Sequence, residues 1–370
     1  IDMDIRPFYS GSKIISGSGA LDALSFELAS VNAEKPLLIA SNIERTAEKT
    51  VAKALKATAA VIGGICRLQS GEKNSAKTIA ETFNRFGCDS LLAIGDADLI
   101  NAVKAARVEL SFGKAPAEID FTQPAPPRRS VPFVSVAVLT PEIGPLPNEL
   151  ILDSGACITS PLFYPDTVFI DPRVTGKSAA VSKRSEIAAA AFIFAVFALS
   201  DTQAHPAVRA CAHSALQQVC EAIETRSRSG QTRLIANARF LSQIALTGVR
   251  FVPEIALLPF LTDGRNPTET LKTLFEAALP TLSFAKDDLS QIVIKLVPNY
   301  NAGSGKQTLR SEFETALLRL TQRLMPNSAA PKPSRSELFK AFEAVKESAL
   351  TAEQKNECLK ILQIQMEGTE

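Results

Sequence analysis

The sequence is poor in the residues that usually carry metal and acid–base chemistry. It has no tryptophan and only two histidines among 370 residues, His205 and His213. Histidine is the commonest metal ligand and the usual general base near neutral pH. His205 precedes a proline and His213 lies within a predicted helix, so we interpret both as structural residues.

Paired cysteines are also missing. The six cysteines are scattered, and no two of them form a Cys-x-x-Cys pair. This spacing excludes zinc ribbons and thioredoxin-like redox motifs. A chain of this length buries enough surface to fold without disulfides, so we expect free thiols in a reducing compartment. No basic-then-apolar leader is recognised at the start of the sequence, and we therefore expect a cytoplasmic protein.

The chain has neither an excess of one charge nor a long apolar run. Forty Lys and Arg residues stand against 39 Asp and Glu, whereas nucleic-acid-binding domains usually show a basic excess. The most apolar run, Ile187 to Leu199, has 13 residues, fewer than the about 20 needed to span a bilayer. We expect no nucleic-acid or membrane partner, and we interpret this run as a buried core helix.

Apolar runs typical of buried strands alternate with amphipathic stretches in the first half of the chain. The strand segments are KPLLIASN, AAVIGGIC, SLLAIG, FVSVAVL and TVFIDP, and the helix segments are ERTAEKTVAKALKAT, SAKTIAETFNRFG and ADLINAVKAARVEL. Such alternation predicts a parallel sheet covered on both faces. Beyond Pro172, helical stretches follow one another. We predict an α/β nucleotide-binding-type domain with a parallel sheet in residues 1–173 and an all-α domain in residues 174–370.

The turn between SLLAIG and the next helix has an unusual composition. A turn that opens a helix presents backbone amides to an anion such as phosphate. Here the turn reads Gly95-Asp96-Ala97-Asp98 and brings two carboxylates to that position. Aspartate is a favourable residue at a helix N-terminus. We therefore predict that Asp96 or Asp98 caps the following helix.

Several segments resemble the iron-containing (group III) alcohol dehydrogenases of the dehydroquinate synthase-like superfamily, from about Pro7 to Pro259. FGCDSLLAIGDADLINAVKA is similar to the family pattern FGADxIIAIGGGSxxDxAKA. VPFVSVAVLTPEIG stands in the place of xPxIAIPTTAGTGSE, and FYPDTVFIDPRV is similar to xPxxxxxDPxL. The resemblance implies a dinucleotide-binding α/β domain, a helical domain, and an NAD(P)-dependent dehydrogenase or reductase.

At the cofactor positions that the resemblance implies, the sequence departs from the family pattern. A carboxylate beside a diphosphate is a like-charge contact that costs about a few kcal/mol at an effective dielectric of about 20. We therefore expect NAD(P) to bind weakly or not at all. The vestigial cofactor-binding positions are Asn42, Gly95, Asp96, Ala97, Asp98, Lys104 and Thr140.

The metal-binding positions that the resemblance implies have changed as well. They fall on Ala190 and Phe194, four residues apart on one helix face, and on Phe240 and Glu254. One oxygen ligand out of four does not hold iron or zinc. We expect no bound metal and assign no catalytic residue, and we predict that Ala190 and Phe194 form apolar core.

The first interpretation is a degenerate member of this family that is non-catalytic or repurposed. Because the family commonly dimerises through its first domain, the chain would form a homodimer or pair with an active paralogue. The alternative is a metal-independent NAD(P)-dependent oxidoreductase that acts on a small alcohol, aldehyde or keto acid. Its polar cleft residues would be Lys104, Thr140 and Glu254.

A third interpretation keeps the cleft but gives it a different ligand. In that case arginines near the cleft would contact an anion. The candidates are Arg128, Arg129 and Arg250.

Overall fold

The computed structural model places the chain in two compact units. The α/β unit comprises Tyr9–Arg184 and Thr225–Asn237, and the helical unit contains Ser185–Glu224 and Ala238–Glu370. The residues that the structure describes are 8–41, 45–56, 61–69, 74–121, 127, 129–138, 146–152, 157–175, 183–262, 266–285, 306–325, 333–348 and 350–367.

A six-stranded sheet forms the centre of the α/β unit. Its neighbouring strands are all parallel, in the spatial order β1–β8–β5–β4–β2–β3, and β6 pairs with β7 in a separate antiparallel hairpin. The strands are β1 (Lys13–Ser16), β2 (Pro36–Ser41), β3 (Gly64–Leu68), β4 (Ser90–Gly95), β5 (Phe133–Ala137), β6 (Glu149–Ile151), β7 (Cys157–Thr159) and β8 (Thr167–Ile170). Strands β2 and β4 are buried along their whole length, as expected of a parallel sheet covered on both faces.

Helices cover both faces of this sheet. Alternate side chains of β2 and β4 point to opposite faces and meet different helices, because successive strand residues alternate in direction. One face carries α1 (Leu24–Ser30), α2 (Arg45–Leu55) and α5 (Pro172–Thr175), and the other carries α3 (Ser75–Phe86) and α4 (Ala97–Phe112). The predicted α/β class with a parallel sheet is confirmed.

The edge strand β3 lies further along the chain than predicted. The sequence favoured AAVIGGIC, whereas the strand is Gly64–Leu68. Pairing with β2 sets this register, with Gly64 opposite Leu37, and it buries Cys66 and Leu68 beneath α3. The short strand β1 and the β6–β7 hairpin were not predicted, because strands of three or four residues leave little periodic signal.

The connections of β2 and β4 place a crevice between them. Strand β2 leads through α2 to β3 on one side, and β4 leads through α4 to β5 on the other. In open α/β sheets, ligands bind at such a topological switch point, outside the carboxyl ends of the strands. This rule predicts a ligand site near Ser41 and the turn after Gly95.

The described part of the helical unit is built from helices. It contains α6 (Arg184–Ser200), α7 (Pro206–Glu224), most of α8 (Arg228–Thr247), α9 (Pro253–Ala256), α10 (Leu258–Leu261), α11 (Pro267–Ala278), α12 (Lys306–Leu324), α13 (Arg335–Glu347) and α14 (Ala352–Glu367). The predicted helix-rich second half is confirmed. The segment QIVIKLV, whose sequence allowed a strand or a helix, lies outside the described residues.

Among the described helices of this unit, α6 has the longest run of buried residues. Every side chain from Ile187 to Leu199 is buried, which confirms the interpretation of this run as a core helix. None of the helices in the described part of the chain combines the length and apolar character that a membrane span requires.

Candidate functional site

A cleft of about 1020 Å³ opens at the switch point of the sheet. Ser41 at the end of β2, Gln69 after β3, and Asp96 and Asp98 at the start of α4 line its mouth. Further residues of α3 and α4 also line the cleft. Its position agrees with the rule that α/β sheets bind ligands beyond the carboxyl ends of their strands.

In the turn that lines the cleft, the carboxylate of Asp96 caps helix α4. Asp96 precedes α4 in an extended backbone conformation, and its Oδ1 accepts a hydrogen bond from the Leu99 amide at 2.9 Å. The Asp96 side chain is buried. Glycine at position 95 leaves room for the Leu99 side chain, because a Cβ there would lie only 3.0 Å from it. The prediction of an aspartate cap is confirmed for Asp96.

Asp98 adds a second negative charge to the same turn. It lies in the first turn of α4, is exposed, and lines the cleft. Carboxylates in the first turn of a helix interact favourably with the partial positive charge of the helix N-terminus. The first turn of α4 is therefore stabilised by the chain's own acids without any bound anion.

Lys104 is buried about two turns further along α4. Its Nζ donates hydrogen bonds to the carbonyl oxygens of Leu146 and Glu149, each at 2.8 Å. Burial lowers the pKa of Lys104 to about 7, although the neighbouring Glu149 acts in the opposite direction. The amine therefore anchors the turn before β6 and lies near its own titration point at neutral pH.

Two further contacts hold the β6–β7 hairpin against α4. Asn101 donates to the Ile151 carbonyl at 2.7 Å and accepts from the Ile151 amide at 2.9 Å. Cys157 is exposed as a residue, but desolvation of its thiol, followed by the Glu149 charge, raises its pKa to about 12, so this thiol stays protonated at neutral pH. Burial also raises the pKa of Glu149. The cluster next to Lys104 is thus a structural anchor between α4 and the hairpin.

The predicted cofactor positions are brought together only in part. Gly95, Asp96, Ala97 and Asp98 share one turn, whereas Lys104 is directed to the hairpin and is not among the described residues that line the cleft. Asn42 and Thr140 lie outside the described residues.

The three arginines of the ligand hypothesis have different positions. Arg129 lines the cleft, donates through Nε to the Leu110 carbonyl at 2.9 Å, and stacks over the Phe83 ring at 5.1 Å. Arg250 belongs to the helical unit, where its amide donates to Asp201. Arg128 lies outside the described residues. Arg129 is therefore the arginine of the three that the described structure places at this cleft.

A dinucleotide pyrophosphate does not fit this turn well. Its oxygens would approach the amides at the start of α4, where Asp96 already accepts from Leu99. The same approach would bring the diphosphate close to both aspartates. The arrangement suits a neutral or positively charged ligand group better than a diphosphate.

The positions that the family resemblance implies for a metal carry mostly apolar side chains. Ala190 and Phe194 of α6 are buried, and Phe240 lies on α8. Glu254 of α9 is buried, and its pKa is raised first by burial and then by the charge of Glu357. Within the described ranges, no group of three or more His, Cys, Asp and Glu side chains could hold a metal. These residues do not fit an iron or zinc ion.

The sequence did not indicate that Arg239, a charged residue, lies next to Phe194. The guanidinium carbon of Arg239 on α8 lies 4.6 Å from the centroid of the Phe194 ring. Burial lowers the pKa of Arg239 to about 10. The sequence offered no signal for this contact, because helical spacing within α8 does not show which distant helix a side chain meets.

The protein is similar to known proteins in structure, whereas its sequence gives no match. The sequence matches no protein-family model and no curated protein sequence. The structure is similar to a solved 1,3-propanediol oxidoreductase, with a TM-score of 0.78 and 16% identity over 98% of this chain and 100% of that chain. It is similar to an NAD⁺ complex of sulfoacetaldehyde reductase from Bifidobacterium kashiwanohense, with a TM-score of 0.72 and 13% identity over 97% and 98%.

A third similar structure is the iron-containing alcohol dehydrogenase from Thermococcus thioreducens, with a TM-score of 0.73 and 17% identity over 98% of this chain and 100% of that chain. Identities this low show a common fold, and the matches extend over nearly the whole chain. The protein has the fold of the iron-containing alcohol dehydrogenases, as the resemblance of its sequence motifs indicated.

Proposed function

We propose that this chain is a degenerate iron-containing alcohol dehydrogenase-like protein with a non-catalytic or repurposed role. The observation that carries the proposal is the α4 turn, where the Asp96 carboxylate accepts from the Leu99 amide at 2.9 Å. The apolar side chains of Ala190 and Phe194 at the implied metal positions support the same conclusion.

Electrostatics gives the expected size of the effect on dinucleotide binding. Two unit charges about 4 Å apart interact by about 4 kcal/mol at an effective dielectric of about 20. Asp98 is exposed, so solvent and salt reduce its share. A loss of about 1.4 kcal/mol weakens binding tenfold. We therefore expect NADH and NADPH to bind with dissociation constants above roughly 1 mM.

Fluorescence titration with NADH and NADPH tests the proposal. Asp96→Ser with Asp98→Ser keeps a hydroxyl cap on α4 and removes both charges, and it should tighten binding at least about tenfold. The control, Glu343→Gln with Glu353→Gln, removes two exposed carboxylates of the helical unit and should change binding little. Micromolar binding by the unaltered chain would contradict the proposal.

The second candidate is a metal-independent NAD(P)-dependent oxidoreductase for a small alcohol, aldehyde or keto acid. Its candidate proton-transfer group is Lys104, whose pKa is lowered to about 7, although this amine would have to leave the carbonyls of Leu146 and Glu149 to reach the cleft. The similar sulfoacetaldehyde reductase structure contains NAD⁺. NAD(P)H oxidation with an aldehyde and keto-acid panel tests this candidate. Turnover that is lost in Lys104→Met, while the variant keeps its fold, would favour it over the degenerate reading.

We further propose that the chain pairs with a second copy or with an active paralogue through β1. This strand lies at the edge of the sheet and its side chains are largely exposed. Unpaired strand edges are suited to pairing between chains. Light scattering after size exclusion should show a dimer, and Ile14→Pro should shift it toward the monomer because proline removes an amide and disturbs the strand. A monomer in the unaltered protein would exclude the homodimer.

A further inference from the structure

The cleft at the switch point of the sheet has a buried carboxylate in its lining. Asp96 is only 5% exposed, and it lines the cleft together with Asp98. The hydrogen bond that Asp96 accepts from the Leu99 amide uses Oδ1. In the described part of the chain, no residue donates to Oδ2. A carboxylate can accept about four hydrogen bonds, so the capping bond leaves Asp96 able to accept others from a ligand.

The positive side chains that line the cleft contact other groups or lie far from the cap. Lys77 of α3 lies 4.0 Å from the Glu81 carboxylate, and Arg129 donates to the Leu110 carbonyl at 2.9 Å. Lys114 follows the end of α4, a helix about 24 Å long at about 1.5 Å per residue. The end of the cleft at the start of α4 is therefore the negatively charged one.

The lining indicates which kind of cation fits this end. Within the described ranges, no group of three or more His, Cys, Asp and Glu side chains could hold a metal ion. The described lining residues include no aromatic side chain, whereas quaternary ammonium ions are usually held by aromatic rings. A primary ammonium group instead donates three hydrogen bonds and is recognised by oxygen atoms. Ser41 and Gln69 add polar side chains at the same mouth.

The cleft has room for more than an ammonium group. Its volume of about 1020 Å³ is at the upper end of the range of about 300 to 1,000 Å³ that small-molecule sites occupy. Apolar side chains also line it, among them Leu68, Leu99 and Ala102. The lining therefore combines a carboxylate with apolar walls, which suits an organic amine that has a compact apolar body.

We propose that the cleft binds, at the start of α4, a small organic molecule with a primary ammonium group. The ammonium group donates to Asp96 and is attracted by the charge of Asp98. The inference rests on the proposed repurposed role, because it assigns a ligand to a cleft that a dinucleotide does not fit. The same negative charge favours the amine and disfavours the diphosphate.

Titration of the full chain with benzylammonium chloride, followed by saturation-transfer NMR, tests the proposal. Sodium chloride keeps the ionic strength constant, and benzyl alcohol and benzyltrimethylammonium chloride are the ligand controls. Benzylammonium should bind saturably. Both controls should bind at least about tenfold more weakly, because the alcohol lacks the charge and the quaternary ion lacks N–H donors.

Variants of the α4 turn locate the site. Asp96→Asn removes the charge but keeps a capping side chain, and it should weaken benzylammonium binding at least about tenfold. Asp98→Asn should weaken binding only about threefold, because solvent and salt screen an exposed charge. Glu353→Gln is the matched control, because Glu353 is an exposed acid in the first turn of α14, and it should leave binding unchanged. Thermal unfolding shows whether each variant folds.

The proposal is wrong if benzylammonium does not bind saturably, if the quaternary ion binds equally well, or if Asp96→Asn binds benzylammonium like the parent. Where Asp96→Asn does not fold, unchanged affinity in Asp98→Asn overturns the proposal in its place. The NADH titration is read separately. Weak NADH binding without amine binding overturns this inference and leaves the proposed function standing, whereas micromolar NADH binding overturns the proposed function.

Discussion

Helices α4 and α6 differ in the polarity of their buried side chains. Helix α4 begins with a buried aspartate cap and carries the buried Lys104, and main-chain atoms hydrogen-bond to both groups. Helix α6 is buried without a polar side chain from Ile187 to Leu199. The comparison teaches that a fold can accommodate a buried helix in two ways. The chain can satisfy the polar groups internally, or apolar residues can replace them.

The largest effect should come from making α6 polar. Ala190→Asp with Phe194→His introduces two polar groups into a buried face, and it should destabilise the protein by about 5 kcal/mol because neither group gains a complete set of partners. Urea unfolding measures this change. Phe339→His with Ala352→Asp makes the same replacements at exposed positions and should stay within about 0.5 kcal/mol of the parent.

Metal addition sharpens that experiment. Iron or zinc should not restore the stability of the double variant, and elemental analysis of the unaltered chain should find less than one metal per chain. Recovery of stability together with one bound metal per chain would show that α6 still faces a competent metal site.

Removing the Phe194 ring alone should have the next largest effect. The side chain is fully buried and contacts Arg239, so Phe194→Ala should cost about 3 to 5 kcal/mol of unfolding free energy. Phe339→Ala, at a residue that is 59% exposed, is the control and should cost little. A change within about 0.5 kcal/mol for Phe194→Ala would mean that α6 borders an open cleft.

The buried charge on α4 should make stability depend on pH. The folded pKa of Lys104 is lowered to about 7, and that of an unfolded lysine is about 10.4. Above pH 7 the unfolded chain therefore binds more protons than the native chain, so stability rises with pH. Below pH 7 both states are protonated and the cost of burying the charge is fully present.

Lys104→Met isolates this contribution. Its unfolding free energy relative to the parent should fall by up to about 2 kcal/mol between pH 7 and about pH 8.5, at about 1.4 kcal/mol per pH unit. Above about pH 8.5 the thiols of the unfolded chain begin to ionise. Because the pKa of Cys157 is raised in the native protein, its contribution to stability falls as pH rises and opposes that of Lys104. The comparison is therefore limited to lower pH. Lys346→Met, at an exposed lysine, should show no such trend. A pH-independent difference for Lys104→Met would show that the amine is solvated.

The smallest effect should come from the cap of α4. Asp96→Ala removes the acceptor for the Leu99 amide and should cost about 1 kcal/mol, whereas Asp96→Ser should stay within about 0.5 kcal/mol because serine also caps. Thermal or urea unfolding distinguishes the two. Equal stability of the alanine variant and the parent would mean that Asp96 contributes no net cap.

The sequence predicted most regular elements of the α/β unit because their signals are local. The segments SLLAIG and SAKTIAETFNRFG became β4 and α3, and α3 ends at Gly87 with a positive φ of 59°. Element positions failed where pairing decides them. The register of β3 depends on its contact with β2, and the short strand β6 depends on the hydrogen bonds of Asn101 with Ile151.

Some features of the candidate site could also be predicted from local sequence, and others depend on tertiary packing. The sequence by itself determined that an aspartate, Asp96 or Asp98, caps α4, because a cap joins residues about three positions apart, and that the uncharged run in α6 must be buried; the structure selected Asp96. Only the tertiary structure decided that Lys104 turns inward to the carbonyls of Leu146 and Glu149 and that Arg239 stacks on Phe194. The physical reason is that the packing of distant segments selects these partners, and local periodicity contains no information about it.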